Sequence, residues 1–229
     1  MDDAQLSAIS YRIKGAGSLS GRYAGRLGSG EVRDDIEAIA RHCRLNLYYV
    51  PSMRNGAPTA TKEDRGNAIL STLPLDELTA IELPYERQRR VAVAATVLVT
   101  APDGGAFPLR LVSAHLDNML GPRRLWLAGA LFARKRQMSA IVEHVDGRHA
   151  AVVGGDLNTW LGFAEPAFGA ALEAFPDTDT SDRRPTFLNL LRLDHLFVRL
   201  PPGWTARVGR GAQRYGSDHW PLIATIRIG

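Results

Sequence analysis

The chain has 229 residues, 45% of them hydrophobic, and 28 Lys and Arg against 24 Asp and Glu give a net charge of +4 and a pI near 9.5. This composition excludes an intrinsically disordered chain, and the length without a linker-like stretch predicts one domain over residues 1–229 that attracts anions rather than repelling them. The single cysteine, Cys43, excludes an intramolecular disulfide, no apolar run could span a bilayer, and the start Met1-Asp2-Asp3 is not a signal peptide, so a cytoplasmic monomer is expected.

Residues 1–30 are poorly specified, because Gly15, Gly17, Gly21, Gly25, Gly28 and Gly30 interrupt every pattern. Over 33–45, Ile36, Ile39, Ala40 and Cys43 recur at helical spacing, with Cys43 read as a small buried apolar residue. A strand over 47–51 is expected to end at Pro51, and 67–73 reads as a buried strand. The β-branched run 91–100 precedes the turn signal Pro102-Asp103-Gly104-Gly105, which makes 107–113 its hairpin partner. A long helix is predicted over 125–145, then a short strand over 150–153 that ends in Gly154-Gly155-Asp156, and two more strands over 193–200 and 222–228. Strands interspersed with helices predict a layered α/β arrangement. The basic clusters Arg87, Arg89, Arg90; Arg123, Arg124; and Arg134, Lys135, Arg136 read as solvated faces in preference to phosphate contacts.

Polar clusters stand at the ends of the apolar strands: Ser113-Ala114-His115, Asp156-Leu157-Asn158, Asp194-His195 and Ser217-Asp218-His219. Strand ends are where a rigid scaffold presents reactive groups. In extended geometry Asp156 and Asn158 project to one side, and such an oxygen-rich pair suits a hard cation such as Mg²⁺. Each cluster also has a bland reading taken alone: an Asx-turn or helix cap for Asp156 and Asn158, a core histidine for His115, a turn for Asp218-His219.

The order of these motifs resembles the endonuclease/exonuclease/phosphatase family, also called deoxyribonuclease I-like, over residues 31–229. The carriers are Arg65-Gly66-Asn67, Ser113-Ala114-His115-Leu116, Gly154-Gly155-Asp156-Leu157-Asn158, Arg192-Leu193-Asp194-His195 and Gly216-Ser217-Asp218-His219. The resemblance implies a four-layer α/β sandwich of two mixed β-sheets flanked by helices, its N-terminal strands incomplete here. It also implies a metal-dependent phosphoesterase, nuclease or phosphatase, that uses Mg²⁺ or Mn²⁺ on a phosphate-ester substrate, with nucleic acid as one class. In that reading Asp156 orients and deprotonates the water, Asn158 holds the phosphate, and His219 stabilises the transition state. Asp218 binds metal or positions His219, His115 pairs with Asp194 to assist the leaving oxygen, and Asn67 contacts phosphate or supports the site. His195 is structural, pointed away from Asp194 by strand alternation.

The opening departs from the family pattern. Arg12 stands where an asparagine is expected, and Glu31, the counterpart of the family's metal-binding glutamate, follows no apolar strand. A catalytically impaired module of the same fold that binds phosphate ligands or nucleic acid is therefore the alternative function.

Overall fold

A computed structural model describes residues 5–10, 36–54, 64–86, 89–118, 125–145 and 150–229. In chain order the elements are β1 (Gln5–Ser10), α1 (Ile36–Cys43), β2 (Asn46–Arg54), β3 (Asp64–Ser71), β4 (Asp76–Glu82), β5 (Val91–Thr100) and β6 (Ala106–His115). There follow α2 (Leu125–His144), β7 (Ala150–Asp156), α3 (Pro166–Ala174), β8 (Asp194–Arg199), β9 (Thr205–Arg210) and β10 (Leu222–Arg227).

The run VAVAATVLVT forms β5 at the heart of a five-stranded sheet of order β4-β5-β6-β7-β8. Its hairpin with β6 turns through Asp103, whose Oδ1 accepts the Gly105 N–H at 2.8 Å. β7 lies parallel to β6, which requires a crossover, and α2 occupies that connection. The other pairings in this mixed sheet are antiparallel.

Strand alternation divides the core in two. On one face Ala92, Ala94, Val112, Ala114, Ala151, Val153 and Phe197 pack against Met138 and Ile141 of α2 and Phe168 and Ala171 of α3. On the other, Val97, Val99, Leu109, Val152, Leu196 and Val198 meet Leu222, Ala224, Ile226 and Val208 of a three-stranded sheet of order β1-β10-β9. The β2-β3 pair covers the same face beside it through Ile69 against Val93 and Ala95. Every described pairing in this second layer is antiparallel. Both faces of β5 are thus buried from Val91 to Val97, which is why that stretch is apolar apart from Thr96 rather than alternating.

Three local readings are corrected. Pro51 does not end its strand: β2 runs on to Arg54, and the register shifts between Pro51 and Met53, the kind of irregularity that tolerates a missing N–H. Cys43 is exposed rather than buried, because the inward face of the short α1 is closed by Ala40. Arg134 and Arg90 lie in the core instead of on a solvated face. No helix among the described residues is long and apolar enough to cross a membrane.

Candidate active site

The parity that sorts the core also builds the site. His115 on β6, Asp156 on β7 and Asp194 on β8 are direct register partners, forming one row across three adjacent strands. His115 shares the parity of Leu109, and Asp194 that of Leu196 and Val198, so the row faces the second sheet. His219 arrives from that second layer, on the turn before β10, and completes the group. Its Nδ1 lies 2.7 Å from Asp194 Oδ2, with both side chains buried. Donor atoms of Asp156, Asp194 and His219 fall within 4.8 Å of one another, an arrangement that could hold a metal ion. His115 Nε2 stands 3.5 Å from Asp156 Oδ2.

Beyond Asp156 the chain turns sharply. Asp156 Oδ1 accepts the Asn158 N–H at 3.0 Å, and Asn158 takes a left-handed φ of 50°, so the two side chains do not sit side by side on an extended strand. They are joined by an Asx-turn, and the Asn158 amide donates to the Leu116 carbonyl at 2.9 Å, tying the β7 end to the β6 end. The turn reading of Asp-x-Asn is therefore built. Gly155 makes the approach possible: at φ 145° its Cβ would lie 1.8 Å from the Ala114 carbonyl oxygen.

His195, one residue after Asp194, points to the helix side. It packs against Phe168 and Phe197 at ring distances of 4.9 and 5.8 Å, and its Nε2 lies 2.7 Å from Thr159 Oγ1. That hydroxyl donates to the Arg192 carbonyl at 3.0 Å, so its oxygen accepts from the imidazole. Burial, helped by the charge of Arg192, pulls the His195 pKa down to about 3. A neutral, fully packed imidazole is a structural residue, as alternation predicts.

The Endonuclease/Exonuclease/phosphatase family profile matches residues 16–219. The chain belongs to this family. An endonuclease/exonuclease/phosphatase from Beutenbergia cavernae superposes at a TM-score of 0.69 and 18% identity, over 98% of this chain and 72% of that one. TDP2 from Caenorhabditis elegans gives 0.60 at 18% identity, over 99% and 77%. The 3′ phosphatase NExo from Neisseria, solved with a product DNA hairpin, gives 0.62 at 15% identity, over 96% and 98%. No curated protein matches. Family membership comes from the profile, and the structures agree on the fold.

Within the endonuclease/exonuclease/phosphatase family fold, the expected residues divide into three groups. His115, Asp156, Asn158, Asp194 and His219 come together. The pairing within the group differs from expectation: the carboxylate of Asp194 is engaged by His219, and the ion-pair distance of His115 is to Asp156. Asn67 is buried on β3 and donates to the Val91 carbonyl at 2.6 Å, which joins the second layer to the start of β5. Asp218 adjoins His219 in sequence but is not one of the three residues of the metal-competent cluster. Glu31 and Arg12 lie outside the described residues.

Two features lay beyond the reach of sequence reasoning. Arg134, placed with the basic clusters, is fully buried and bonds Glu165 at 2.5 Å, pinning α2 to the start of α3. Arg136 is held by Glu86 and Arg89 by Glu82, which leaves these arginines committed to carboxylates. Arg210 stacks 4.1 Å over Trp220, the residue after His219, and Arg183 and Arg192 lie 5.1 and 5.4 Å from the Phe163 ring, which packs with His195 on the helix side. These pairs join residues between 10 and 29 positions apart, with no local period to expose them.

Proposed function

We propose that this protein is a metal-dependent phosphoesterase that hydrolyses phosphodiester or phosphomonoester bonds, with nucleic acid among its substrates. The single observation that carries the reading is the row His115–Asp156–Asp194 closed by His219 from the facing sheet. Two buried neighbouring carboxylates demand positive charge nearby, and oxygen donors of this kind suit a hard divalent cation such as Mg²⁺ or Mn²⁺. Glu31 and Asp218 are the ligands that the family resemblance implies, and Asp156 offers a further oxygen. When bound, the cation would polarise the phosphoryl oxygens and offset the charge that develops on them.

The side chains take complementary parts. Asp156 orients the attacking water and accepts its proton. Asp194 accepts the Nδ1–H of His219, which fixes the ring so that its Nε2 edge is directed to a phosphoryl oxygen where negative charge builds. Asn158 directs its remaining amide atoms to the phosphate and holds it in line. His115, next to Asp156, assists the leaving oxygen, and Asn67 supports the site through β5. The product DNA hairpin held by NExo supports nucleic acid as one substrate class.

The test is hydrolysis of bis(4-nitrophenyl) phosphate, 4-nitrophenyl phosphate and plasmid DNA with Mg²⁺, with Mn²⁺ and with chelator. Activity should require metal, and Asp156→Ala and His219→Ala should each lose about 10²-fold to 10⁴-fold in kcat. Equal background in the parent and both variants would reject catalysis and leave the binding-module alternative.

A further inference from the structure

We propose that Thr186 is a positioning residue that aligns the Asp194–His219 pair, an inference that rests on the phosphoesterase reading of that pair. The two members come from different layers. Asp194 opens β8 in the five-stranded sheet, whereas His219 sits on the turn entering β10 of the facing sheet. A hydrogen bond of 2.7 Å between them persists only if the two layers are held in fixed relation at this point.

Thr186 belongs to neither sheet and is completely buried. Its Oγ1 accepts the backbone N–H groups of Leu193 at 3.0 Å and of Asp194 itself at 3.1 Å. Its carbonyl accepts the N–H of Trp220, the residue after His219, at 2.7 Å. One residue therefore grips one member of the pair through its side chain and the neighbour of the other through its main chain. Phe187 extends the grip: it forms a β-bridge with His219, and the two rings lie 4.7 Å apart.

The segment that carries Thr186 is itself locked. Thr186 N–H and Phe187 N–H both donate to the Leu191 carbonyl, and Leu190 N–H donates to that of Phe187. At the tip Leu188 and Asn189 adopt left-handed φ values of 47° and 57°, and Asn189 Oδ1 accepts the Trp220 indole N–H at 2.9 Å. A leucine in that conformation is strained, so the surrounding contacts impose the hairpin shape rather than merely following it. The hairpin is thus fastened at both ends to the residue next to His219.

A purely structural Thr186 would serve stability alone, whereas a positioning residue also sets the state of the His219 ring. Thr186→Val keeps the shape of the side chain and removes the acceptor; Thr186→Ala removes it with fewer atoms; Thr186→Ser retains it. The experiment uses the full chain with ¹⁵N-labelled histidine, the His219 ring signals being assigned by their loss in His219→Ala. Proton and nitrogen shifts of that ring are recorded at one fixed pH, alongside kcat and KM for bis(4-nitrophenyl) phosphate.

Thr186→Ser should keep the parent ring signals. Thr186→Val and Thr186→Ala should shift them, with kcat lowered by about tenfold to a hundredfold and KM little changed. If Thr186→Val does not fold, Thr186→Ala decides. Parent-like His219 signals in the folded acceptor-free variants, with only Tm reduced, would overturn the proposal, as would a folded Thr186→Ser that loses them. Should the parent chain hydrolyse nothing while the ring still responds to loss of the acceptor, the phosphoesterase reading fails and the alignment role stands.

Discussion

Lowering the pH from 7 to 5 should destabilise the fold through His195, a residue with no part in the proposed chemistry. The imidazole is 2% exposed, enclosed by Phe163, Phe168 and Phe197, and its pKa is held at about 3 against an ordinary 6.5 by burial and by the charge of Arg192. Between those two values the unfolded chain binds a proton that the native one refuses, so stability is fully present above pH 6.5 and declines as the pH falls towards 3. At pH 5 the solution lies about 1.5 units below the unfolded pKa, and at roughly 1.4 kcal/mol per unit the loss from this residue is on the order of 2 kcal/mol. Urea unfolding at pH 7 and pH 5 measures it, with His195→Phe as the control that removes the titrating group and keeps a ring in the aromatic box. The parent should lose about 2 kcal/mol more than the variant over this interval, whatever the variant's absolute stability. Equal losses in the two proteins would refute the assignment of a neutral buried imidazole.

Gly155→Ala should abolish or severely impair folding, read as lost soluble expression or a collapsed thermal transition, because the new Cβ would meet a backbone oxygen at 1.8 Å with φ at 145°. A parent-like Tm would show that β6 and β7 separate more readily than their register implies. Glu165→Ala should cost about 3–5 kcal/mol in chemical denaturation by leaving the buried Arg134 guanidinium without its carboxylate. The double variant Arg134→Met with Glu165→Leu should recover most of that loss, since it removes both charges from the core.

Much of the fold was legible because its strongest signals are local. The runs that became β5, β6, β7 and β10 are apolar, β-branched and closed by turn residues, and α2 follows from a sustained helical pattern. β1, in the stretch read as poorly specified, and β4, β9 and α3 were not foreseen. β4 (DELTAIE) is an edge strand with most of its side chains exposed, so it carries little apolar periodicity. β9 (TARVGR) buries only Val208 deeply among its six residues and is likewise an edge. α3 (PAFGAALEA) spans nine residues, below the length at which a helical pattern separates from a short apolar run. Arg134 shows the converse failure. A cation in a basic triplet looks solvated unless its partner is known, and Glu165 lies thirty-one residues away.

The same distinction separates what was foreseen of the site from what was not. That His115, Asp156 and Asp194 would converge could be expected from each standing at a strand end. Which carboxylate serves which histidine could not, because partnership is a lateral property fixed by register across β6, β7 and β8. With Asp156 between His115 and Asp194, the outer two members of the row are two strand spacings apart, about 9–10 Å between backbones. A direct His115–Asp194 pair would have to reach across the intervening Asp156. Asp194 is instead free to take its histidine from the opposite sheet, and that choice makes the alignment of the pair depend on how the two layers meet. The catalytic geometry proposed for this chain is therefore a property of the sandwich interface rather than of any one motif, and residues that fasten the interface, such as Thr186, bear on catalysis without touching the phosphate.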